Sequence, residues 1–360
     1  MEQVNFGYSM KNIPIASRKE HILGLTHSTR EFVNNLRWRS KFALSSSKPQ
    51  DKKETFGLKS SNRCEPIAEM KEFEDKLQDM VKTVKFRDVS NSFQNKLRTD
   101  INTIKNEPKI FMKADKTTNY YKVDTAKAEE LIERDITKEY KKASLKTIKD
   151  IQSEAVSLAT ELGVADRIYQ TSENQAYNTL KDHKDNFRNN PKCRLINPTK
   201  PETGKIAKCK LEQITKIVKE KSGLTQWKNT HEFLGWFNGL SDKSNSTFLQ
   251  FDICNFYPSI TEKLILKSIA HAAQYTDISE EDKILILHTS KSLLYHKGQA
   301  WVKKGRSTVD VTMGCFDGAE KCDLVGLYLL SLLVQLGIIV GLFRDDGAAV
   351  TTLPQKRQTS

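Results

Sequence analysis

The sequence GLFRDDGAAV, residues 341–350, places two adjacent carboxylates, Asp345 and Asp346, between apolar residues. The run IIVGLF is typical of a buried strand and AAV can form the returning strand, so we expect both carboxylates at the tip of a β-hairpin. An ordinary turn formed by Asp346-Gly347 is the simpler alternative. Where water is scarce, two carboxylates about 4 Å apart repel strongly unless one is protonated or a cation lies between them. Mg²⁺ is the usual cation when all ligands are oxygens and phosphates are also bound.

A second acidic strand is predicted by FLQFDICNFYPSI, residues 248–260, in which the one charged residue is Asp252. The strand leads to a turn at Pro258, and Ser259 and Glu262 have the spacing of a capping box for a following helix. If this strand faces the Asp-Asp hairpin, their carboxylates can hold two Mg²⁺ ions about 4 Å apart. Such ions activate a hydroxyl nucleophile and neutralise phosphates, which is most of what phosphoryl transfer requires.

Residues 324–343, LVGLYLLSLLVQLGIIVGLF, contain no charged side chain. A run of about 20 apolar residues can span a bilayer, so a membrane-associated protein anchored by this segment is one alternative. However, Gln335 and Gly337 interrupt the run, and the two aspartates follow it at once. We therefore predict a buried helix that ends at Gly337, then a buried strand, and no membrane contact.

The composition indicates an intracellular protein with a polyanionic partner. The 360 residues suit more than one domain, and the formal net charge is +13 with a pI of about 9.2. This charge predicts binding to nucleic acid or to an anionic membrane surface. The N-terminal residues lack the apolar core of a secretory signal, and the six cysteines lack metal-ligand spacing. We expect a nuclear or cytoplasmic protein that is not secreted, without a zinc site.

Residues 1–105 are basic and carry three apolar stripes at helical spacing, which we interpret as ordinary core. The stripes contain Ile22, Leu25, Phe32 and Leu36; then Ile67, Met70, Phe73, Leu77, Met80 and Val84; and then Phe93, Leu97, Ile101 and Ile104. A polar link separates the first stripe from the second. Residues 109–123 then predict a β-hairpin with Lys113 and Lys116 near its tip.

Residues 177–221 are densely basic and contain short strand-like pieces broken by prolines. A solvated charged face is the simpler interpretation. The alternation of loops and strands also suits contacts with the phosphates of a nucleic acid or a triphosphate. Arg194 lies within the apolar strand CRLI, where an unpaired guanidinium is costly to bury, so we expect it to have an anionic partner.

These segments together resemble the reverse transcriptases of retroelements. FDICNFYPSI, residues 251–260, is similar to the first catalytic palm motif of that family, and FRDD, residues 343–346, to its aromatic-x-Asp-Asp motif. TMGCFDGAE, residues 312–320, has the place of the glycine-containing loop before a palm helix. NTLKDHK, residues 178–184, and KCRLINP, residues 192–198, are similar to the two fingers motifs, in the order of the family.

The resemblance covers residues 110–350, and ADKTTNYYKV is similar to a segment of the Penelope-like type. It implies an α+β right-hand polymerase with a helical N-terminal extension (1–105), fingers (106–247) and a catalytic palm (248–350). It implies an RNA-directed DNA polymerase of a non-LTR or Penelope-like retrotransposable element, which binds an RNA template, a DNA primer and dNTPs. The cofactors implied are two Mg²⁺ or Mn²⁺ ions, with no organic cofactor. No thumb pattern follows, and residues 351–360 read as an unrelated tail, so we expect a truncated enzyme.

The resemblance also assigns roles to single residues. Asp252 and Asp345 are implied as catalytic metal ligands, with Asp346 in support and the carbonyl of Ile253 as a further ligand. Tyr257 matches the aromatic beneath the nucleotide sugar, which excludes a 2′-hydroxyl, although an ordinary core aromatic is the alternative. Nucleotide contacts are implied for Lys181, Lys184, Arg194 and Gly314, and nucleic-acid contacts are expected for Lys113, Lys116, Lys192, Lys200 and Lys205.

One motif departs from the family, since Met313 stands where a glutamine usually precedes the loop glycine. The departure concerns contacts of this loop with template or nucleotide. The main alternative function is an inactive, truncated remnant of such an enzyme that still binds nucleic acid. Such a remnant shows salt-sensitive binding without primer extension.

Overall fold

The computed structural model divides the chain into two compact units. The described residues are 1–4, 18–44, 56, 58, 62–85, 92–167, 174–199, 202–241, 243–305 and 307–351. Most of the predicted polar link, the side chain of Phe93, the predicted contact Lys200 and nearly all of the predicted tail lie outside them. The first unit comprises residues 1–54, 60–130 and 180–192, and the second comprises residues 55–59, 131–179 and 193–360. The predicted division at residues 105, 247 and 350 stays a prediction.

The first unit combines helices with a small antiparallel sheet. In chain order its described elements are strand β1 (Glu2–Val4), helices α1 (Arg18–Leu44), α2 (Lys71–Thr83) and α3 (Ser92–Asn106), strands β2 (Ile110–Lys113) and β3 (Tyr120–Val123), and the first part of helix α4 (Thr125–Glu139). Strand β3 lies between β1 and β2 and pairs antiparallel with both. The predicted β2–β3 hairpin is confirmed, with Lys113 opposite Tyr120 next to the turn.

The N-terminal helices form where the stripes predict them, but much of the first two stripes is exposed. Phe32 on α1 is 51% exposed, and Met80 on α2 is 66% exposed. The interpretation of these stripes as ordinary core is therefore wrong for part of their length. Helix α1 meets α2 through a polar contact instead, a bidentate ion pair between Arg37 and Glu74. The third stripe does supply core, since Leu97 is buried.

The remaining elements lie in the second unit, except that Leu180, the last residue of strand β5, belongs to the first unit. In chain order they are β4 (Tyr140–Lys142), α5 (Leu145–Glu161), β5 (Tyr177–Leu180), β6 (Cys193–Ile196), α6 (Thr203–Ser222), β7 (Thr225–Gln226), α7 (Thr230–Gly239), β8 (Thr247–Asp252), α8 (Phe256–Ser259), α9 (Glu262–Ala272), α10 (Glu280–His288), β9 (Leu294–His296), β10 (Gln299–Lys303), α11 (Gly318–Gln335), β11 (Ile339–Phe343) and β12 (Asp346–Thr351). The predicted mixture of helices and strands is confirmed.

A four-stranded sheet in the second unit contains both predicted acidic strands. Its order is β7, β11, β12, β8, with β11 antiparallel to β12, β12 antiparallel to β8, and β11 parallel to β7. Helices α6, α9 and α11 share one apolar core with this sheet, to which Leu211, Ile269, Leu327 and Leu342 contribute buried side chains. Because burial of these apolar faces drives the packing, the sheet has a fixed position from which its strand ends can present charge.

The uncharged run at residues 324–343 divides as the sequence predicts, but the prediction that the whole run is buried is wrong, since Leu336 is 73% exposed and Ile339 is 53% exposed. Helix α11 ends at Gln335, Gly337 has a left-handed φ of 75°, and strand β11 begins at Ile339. Glycine suits this position because a residue without a Cβ adopts the left-handed conformation that ends a helix. None of the described helices is both long enough and apolar enough to cross a membrane.

The helix after the second acidic strand begins at a different cap from the predicted one. Ser259 belongs to the one-turn helix α8, and its hydroxyl donates to the carbonyl of Asn255 at 2.8 Å. The cap of α9 is Thr261, whose hydroxyl accepts a hydrogen bond from the backbone of Leu264 at 3.2 Å. The capping box is therefore wrong, because Ser259 is used in the preceding turn and Glu262 is the first helical residue.

Candidate active site

The two predicted acidic strands are neighbours in the sheet, and Asp252 lies directly opposite Asp346. Opposed residues of antiparallel strands place their Cβ atoms about 4.5–5.5 Å apart. Both aspartates are exposed, and like charges in this arrangement destabilise the strand pair. The ends of β8 and β12 therefore carry an unfavourable charge pair, which a bound cation would convert into a favourable arrangement.

The third carboxylate lies in the turn of the β11–β12 hairpin. Phe343 pairs with Asp346, so the two turn residues are Arg344 and Asp345. The alternative in which Asp346 and Gly347 form the turn is wrong, because both belong to β12. The hairpin thus presents one carboxylate in its turn and the next on the first residue of the returning strand.

The hairpin turn is held to the end of β8 by the backbone. The N–H of Ile253 donates to the carbonyl of Asp345 at 2.8 Å, which extends the pairing one residue past Asp252. Two residues beside this bond have left-handed backbones: Asn255 with φ 52° and Arg344 with φ 56°. Such conformations are uncommon for residues with a Cβ and concentrate at functional sites.

Gly347 allows β8 and β12 to approach beside the carboxylates. A Cβ on Gly347 would lie 2.2 Å from Cζ of Phe251 and 2.8 Å from a methyl group of Leu342. The glycine is therefore needed because an aromatic ring of the neighbouring strand covers its Cα. This contact fixes the strand pairing one residue away from Asp252 and Asp346.

The three carboxylates come from adjacent strand ends but do not converge on one point. Among the described residues, the oxygens of Asp252, Asp345 and Asp346 do not all lie within 4.8 Å of one another. Carboxylate oxygens together with a backbone carbonyl such as that of Ile253 are the hard ligands that Mg²⁺ prefers. The donor set fits a divalent cation in kind, and rotation of the aspartate side chains, of which Asp252 and Asp346 are exposed, would be needed to bring the oxygens together.

A fourth carboxylate, Asp323 on α11, was missed by sequence analysis. Burial raises its pKa to about 6, and the positive charge of Arg344 acts against this increase. Its backbone carbonyl accepts a hydrogen bond from the side chain of Gln226 at 2.8 Å, which joins α11 to β7. The signal for it in the sequence is one charge directly before an uncharged run of 20 residues, 324–343.

Tyr257 lies half-buried on the short helix α8, against the start of α11. Its Cε1 atom is 3.7 Å from the position that a Cβ on Gly318 would occupy. Burial raises the pKa of its hydroxyl, which is hydrogen-bonded to the thiol of Cys322. The ring is thus a fixed wall, packed on one side and partly accessible on the other, which suits either a core aromatic or a contact with a sugar.

The loop before α11 docks on the end of strand β6. Gly314 has a left-handed φ of 120°, and a Cβ there would lie 2.3 Å from the carbonyl oxygen of Asn197. The N–H of Asn197 donates to the carbonyl of Met313 at 3.3 Å. The close approach that Gly314 permits is therefore made by the backbone of this chain, three residues after Arg194.

A fully buried polar cluster fixes the end of the same loop. The ammonium of Lys321 lies 2.7 Å from a carboxylate oxygen of Asp317 and donates to the hydroxyl of Thr289 at 3.0 Å. That hydroxyl donates to the Asp317 carboxylate at 2.6 Å. Lys321 and Asp317 are each about 1% exposed, so these bonds replace the water that both charges lose.

The predicted cations are divided between the two units. In the second unit, Arg194 is half-buried in β6, and Lys205 lies in the first turn of α6. Lys205 pairs with Glu202 at 2.5 Å and lies 5.0 Å from the ring centroid of Phe316. The other predicted cations within the described ranges belong to the first unit, and they are Lys113, Lys116, Lys181, Lys184 and Lys192.

Comparison with solved structures finds telomerases. A telomerase from Candida tropicalis, truncated from its C-terminal domain, is 12% identical with a TM-score of 0.49, over 97% of this chain and 83% of that one. A telomerase from Candida albicans, in complex with the TWJ fragment of telomeric RNA, is 11% identical with a TM-score of 0.48, over 96% of this chain and 68% of that one. No family model and no curated protein matches the sequence. These similarities are too low to assign a family, so the function proposed below rests on the residues of this chain.

Proposed function

We propose that this chain is the fingers-and-palm part of an RNA-directed DNA polymerase of the retroelement type. The observation that carries the proposal is the pairing of Asp252 with Asp346, together with the bond from Ile253 to the carbonyl of Asp345. Three acidic positions from two distant segments thereby lie at the ends of neighbouring strands of one sheet. The net charge of +13 fits a nucleic-acid partner.

The proposed metal ligands are Asp252, Asp345 and the carbonyl of Ile253, with Asp346 adding negative charge beside them. Two Mg²⁺ or Mn²⁺ ions, when bound, would activate a primer 3′-hydroxyl and neutralise the phosphates of a dNTP. The residues of the chain fix the strand ends that supply these oxygens, through the β8–β12 pairing and the turn bond. Positioning of this kind is the larger part of catalysis in phosphoryl transfer.

The remaining residues of the proposed site select and hold the nucleotide. Tyr257 presents a fixed ring edge, which would exclude a ribose 2′-hydroxyl. Arg194 would contact the triphosphate, since a planar guanidinium binds phosphate oxygens in pairs. The nucleotide contacts that the resemblance implies for Lys181 and Lys184, which lie in the first unit, stay a prediction. The RNA template and DNA primer are the proposed macromolecular partners.

Primer extension tests the proposal. The chain is incubated with a DNA primer on an RNA template, dNTPs, and Mg²⁺ or Mn²⁺. Extension by the wild type is expected, together with a loss of at least 100-fold in Asp345→Asn and Asp252→Asn, because each change removes an anionic ligand. Asp277→Asn is the matched control, since Asp277 is an exposed aspartate in the loop between α9 and α10. Equal extension by all four proteins would exclude the proposed site.

A non-catalytic nucleic-acid-binding remnant is the second candidate. It is favoured by one observation, that the oxygens of the three site aspartates do not all lie within 4.8 Å of one another. This candidate predicts that the chain binds RNA with strong salt dependence, yet extends no primer with either metal ion. Restored extension after fusion of a helical thumb domain would exclude it.

A further inference from the structure

One carboxylate of the first unit joins two basic segments that are more than 60 residues apart. A single oxygen of Asp182, Oδ2, accepts three hydrogen bonds from the β2–β3 hairpin. The donors are the Thr117 hydroxyl at 2.7 Å, the Asn119 amide at 2.8 Å and the Tyr121 hydroxyl at 3.0 Å. Burial would raise the pKa of Asp182, but the three donors outweigh it and hold that pKa below its usual range.

The backbone holds the same two segments together. Ala114 forms a parallel bridge with Leu180, and the N–H of Asp115 donates to the Leu180 carbonyl at 2.8 Å. The rings of Tyr121 and Phe187 meet edge to face, with centroids 5.1 Å apart. The hairpin turn therefore has a defined position on residues 181–192, and Asp182 is the centre of its polar contacts.

The two joined segments carry exposed positive charge. Lys113 and Lys116 flank the start of the hairpin turn, and residues 181–192 add Lys184, Arg188 and Lys192, all of them exposed. None of the four lysines forms an ion pair with a carboxylate in the part of the chain that the structure describes. We call these five residues the basic platform. A group of cations that lacks carboxylate partners is the expected form of a surface that neutralises phosphates.

We propose that Asp182 is a positioning residue that holds the hairpin turn against residues 181–192, so that both segments of the basic platform bind one nucleic-acid backbone together. The proposal rests on the nucleic-acid partner of the proposed function, but it does not depend on catalysis. An acidic residue would here increase the affinity for a polyanion, because it orders the cations around it.

Whether RNA affinity falls or rises when the Asp182 carboxylate is removed distinguishes a positioning role from a purely electrostatic one. Removal of any negative charge from a basic surface should by itself strengthen binding to RNA. If the hairpin turn is released, however, Lys113 and Lys116 stop contacting phosphate. Two lost contacts on a single strand lower the slope of log affinity against log salt by about 1.4, which is about 25-fold in affinity at 0.1 M salt.

The test is fluorescence anisotropy with a labelled 20-nucleotide RNA, at several KCl concentrations and without divalent ions or dNTPs. Asp182→Ala should bind about 25-fold more weakly at 0.1 M salt, with the smaller slope. Asp185→Ala is the matched control, because Asp185 is an exposed aspartate of the same segment. It should bind as tightly as the wild type or slightly more tightly. Equal or tighter binding by Asp182→Ala, with an unchanged slope, would overturn the proposal.

A second set of variants guards against loss of folding. Thr117→Val and Tyr121→Phe keep the carboxylate and remove one donor each, so each should weaken RNA binding by a smaller factor, and the double variant by more. Unchanged binding in the double variant would also overturn the proposal. If the wild type fails to bind RNA, the proposed nucleic-acid partner is wrong. If the wild type binds RNA and the Asp182 variant binds equally well, only the positioning role is refuted.

Discussion

The opposed pair Asp252 and Asp346 leads to a prediction about stability that needs no activity. Asp252→Asn removes one of two like charges that face each other at the ends of β8 and β12. At about 5 Å in the dielectric of water, two unit charges repel by about 0.8 kcal/mol, which agrees with the range of about 0.2–1 kcal/mol for opposed pairs. Both side chains are exposed, so the higher dielectric applies. The variant should therefore unfold at a higher denaturant concentration than the wild type when metal ions are chelated.

Added Mg²⁺ should reverse this order. A ligand that binds only the folded chain stabilises it by RT ln(1 + [L]/Kd), which is about 1 kcal/mol at 5 mM Mg²⁺ for a Kd of about 1 mM. The wild type should gain this amount, and Asp252→Asn should gain much less. Urea denaturation in EDTA and in Mg²⁺ measures both effects, with Asp277→Asn as the control that changes neither. If Asp252→Asn is less stable in EDTA and gains as much from Mg²⁺ as the wild type, the charge pair is not a cation site.

Three further predictions concern the surroundings of this site and the N-terminal helices. Gly347→Ala should destabilise the chain by about 1–3 kcal/mol, because its Cβ meets a ring of the next strand, whereas Gly235→Ala, in open space on α7, should be neutral or stabilise by about 0.5–1 kcal/mol. Denaturant titration of both variants checks this. Tyr257→Ala should lower the preference for dNTPs over NTPs at least tenfold, about 1.4 kcal/mol, in single-nucleotide extension, and an unchanged ratio would make the ring an ordinary core aromatic. The Arg37 guanidinium holds the pKa of Glu74 below its usual range, so the contact of α1 with α2 should be stable above about pH 4.5 and weaken as pH falls through the lowered pKa. Glu74→Gln should cost about 2–3 kcal/mol at pH 7 and remove this acid dependence, as followed by hydrogen exchange in α1.

Sequence patterning predicted the elements that carry strong local signals. The β2–β3 hairpin, the strand before Asp252 and the division of the uncharged run at Gly337 all lie where the pattern placed them. These predictions succeeded because alternation, β-branched residues and a helix-ending glycine are properties of neighbouring residues. The grouping of these elements into one catalytic site came from the family resemblance, and that site stays a proposal.

The details that failed depend on contacts between distant residues. The hairpin turn uses Arg344 and Asp345, because Gly347 is needed beneath the ring of Phe251 and cannot also form the turn. Such a register is set by the neighbouring strand, which local turn statistics do not describe. The prediction that the apolar stripes of α1 and α2 are core failed for a related reason, since spacing identifies an apolar face but not what covers it.

The contacts of two acidic residues, Asp323 and Asp182, were not predicted because their partners are distant in the sequence. Asp323 lies on α11 directly before the apolar run, and the sequence pattern emphasised the other end of that run, where Asp345 and Asp346 lie. The charged residues that act on the pKa of Asp323 come from separate elements. Asp182 lies within a basic segment, where the sequence pattern does not distinguish it from the other polar residues. Its importance appears only when the donors of the hairpin, Thr117 and Tyr121 among them, are seen to converge on one oxygen.

In the proposed site, the end of β8 and the β11–β12 turn bind divalent cations together, and iron-mediated cleavage tests this arrangement most directly. Fe²⁺ replaces Mg²⁺, ascorbate and peroxide generate radicals at the bound ion, and mass spectrometry locates the backbone cuts. Two cuts are expected, one beside Asp252 and one beside Asp345, both prevented by competing Mg²⁺ and both lost in Asp252→Asn. Cuts at one of these places alone, or cuts that persist unchanged in the variant, would contradict it.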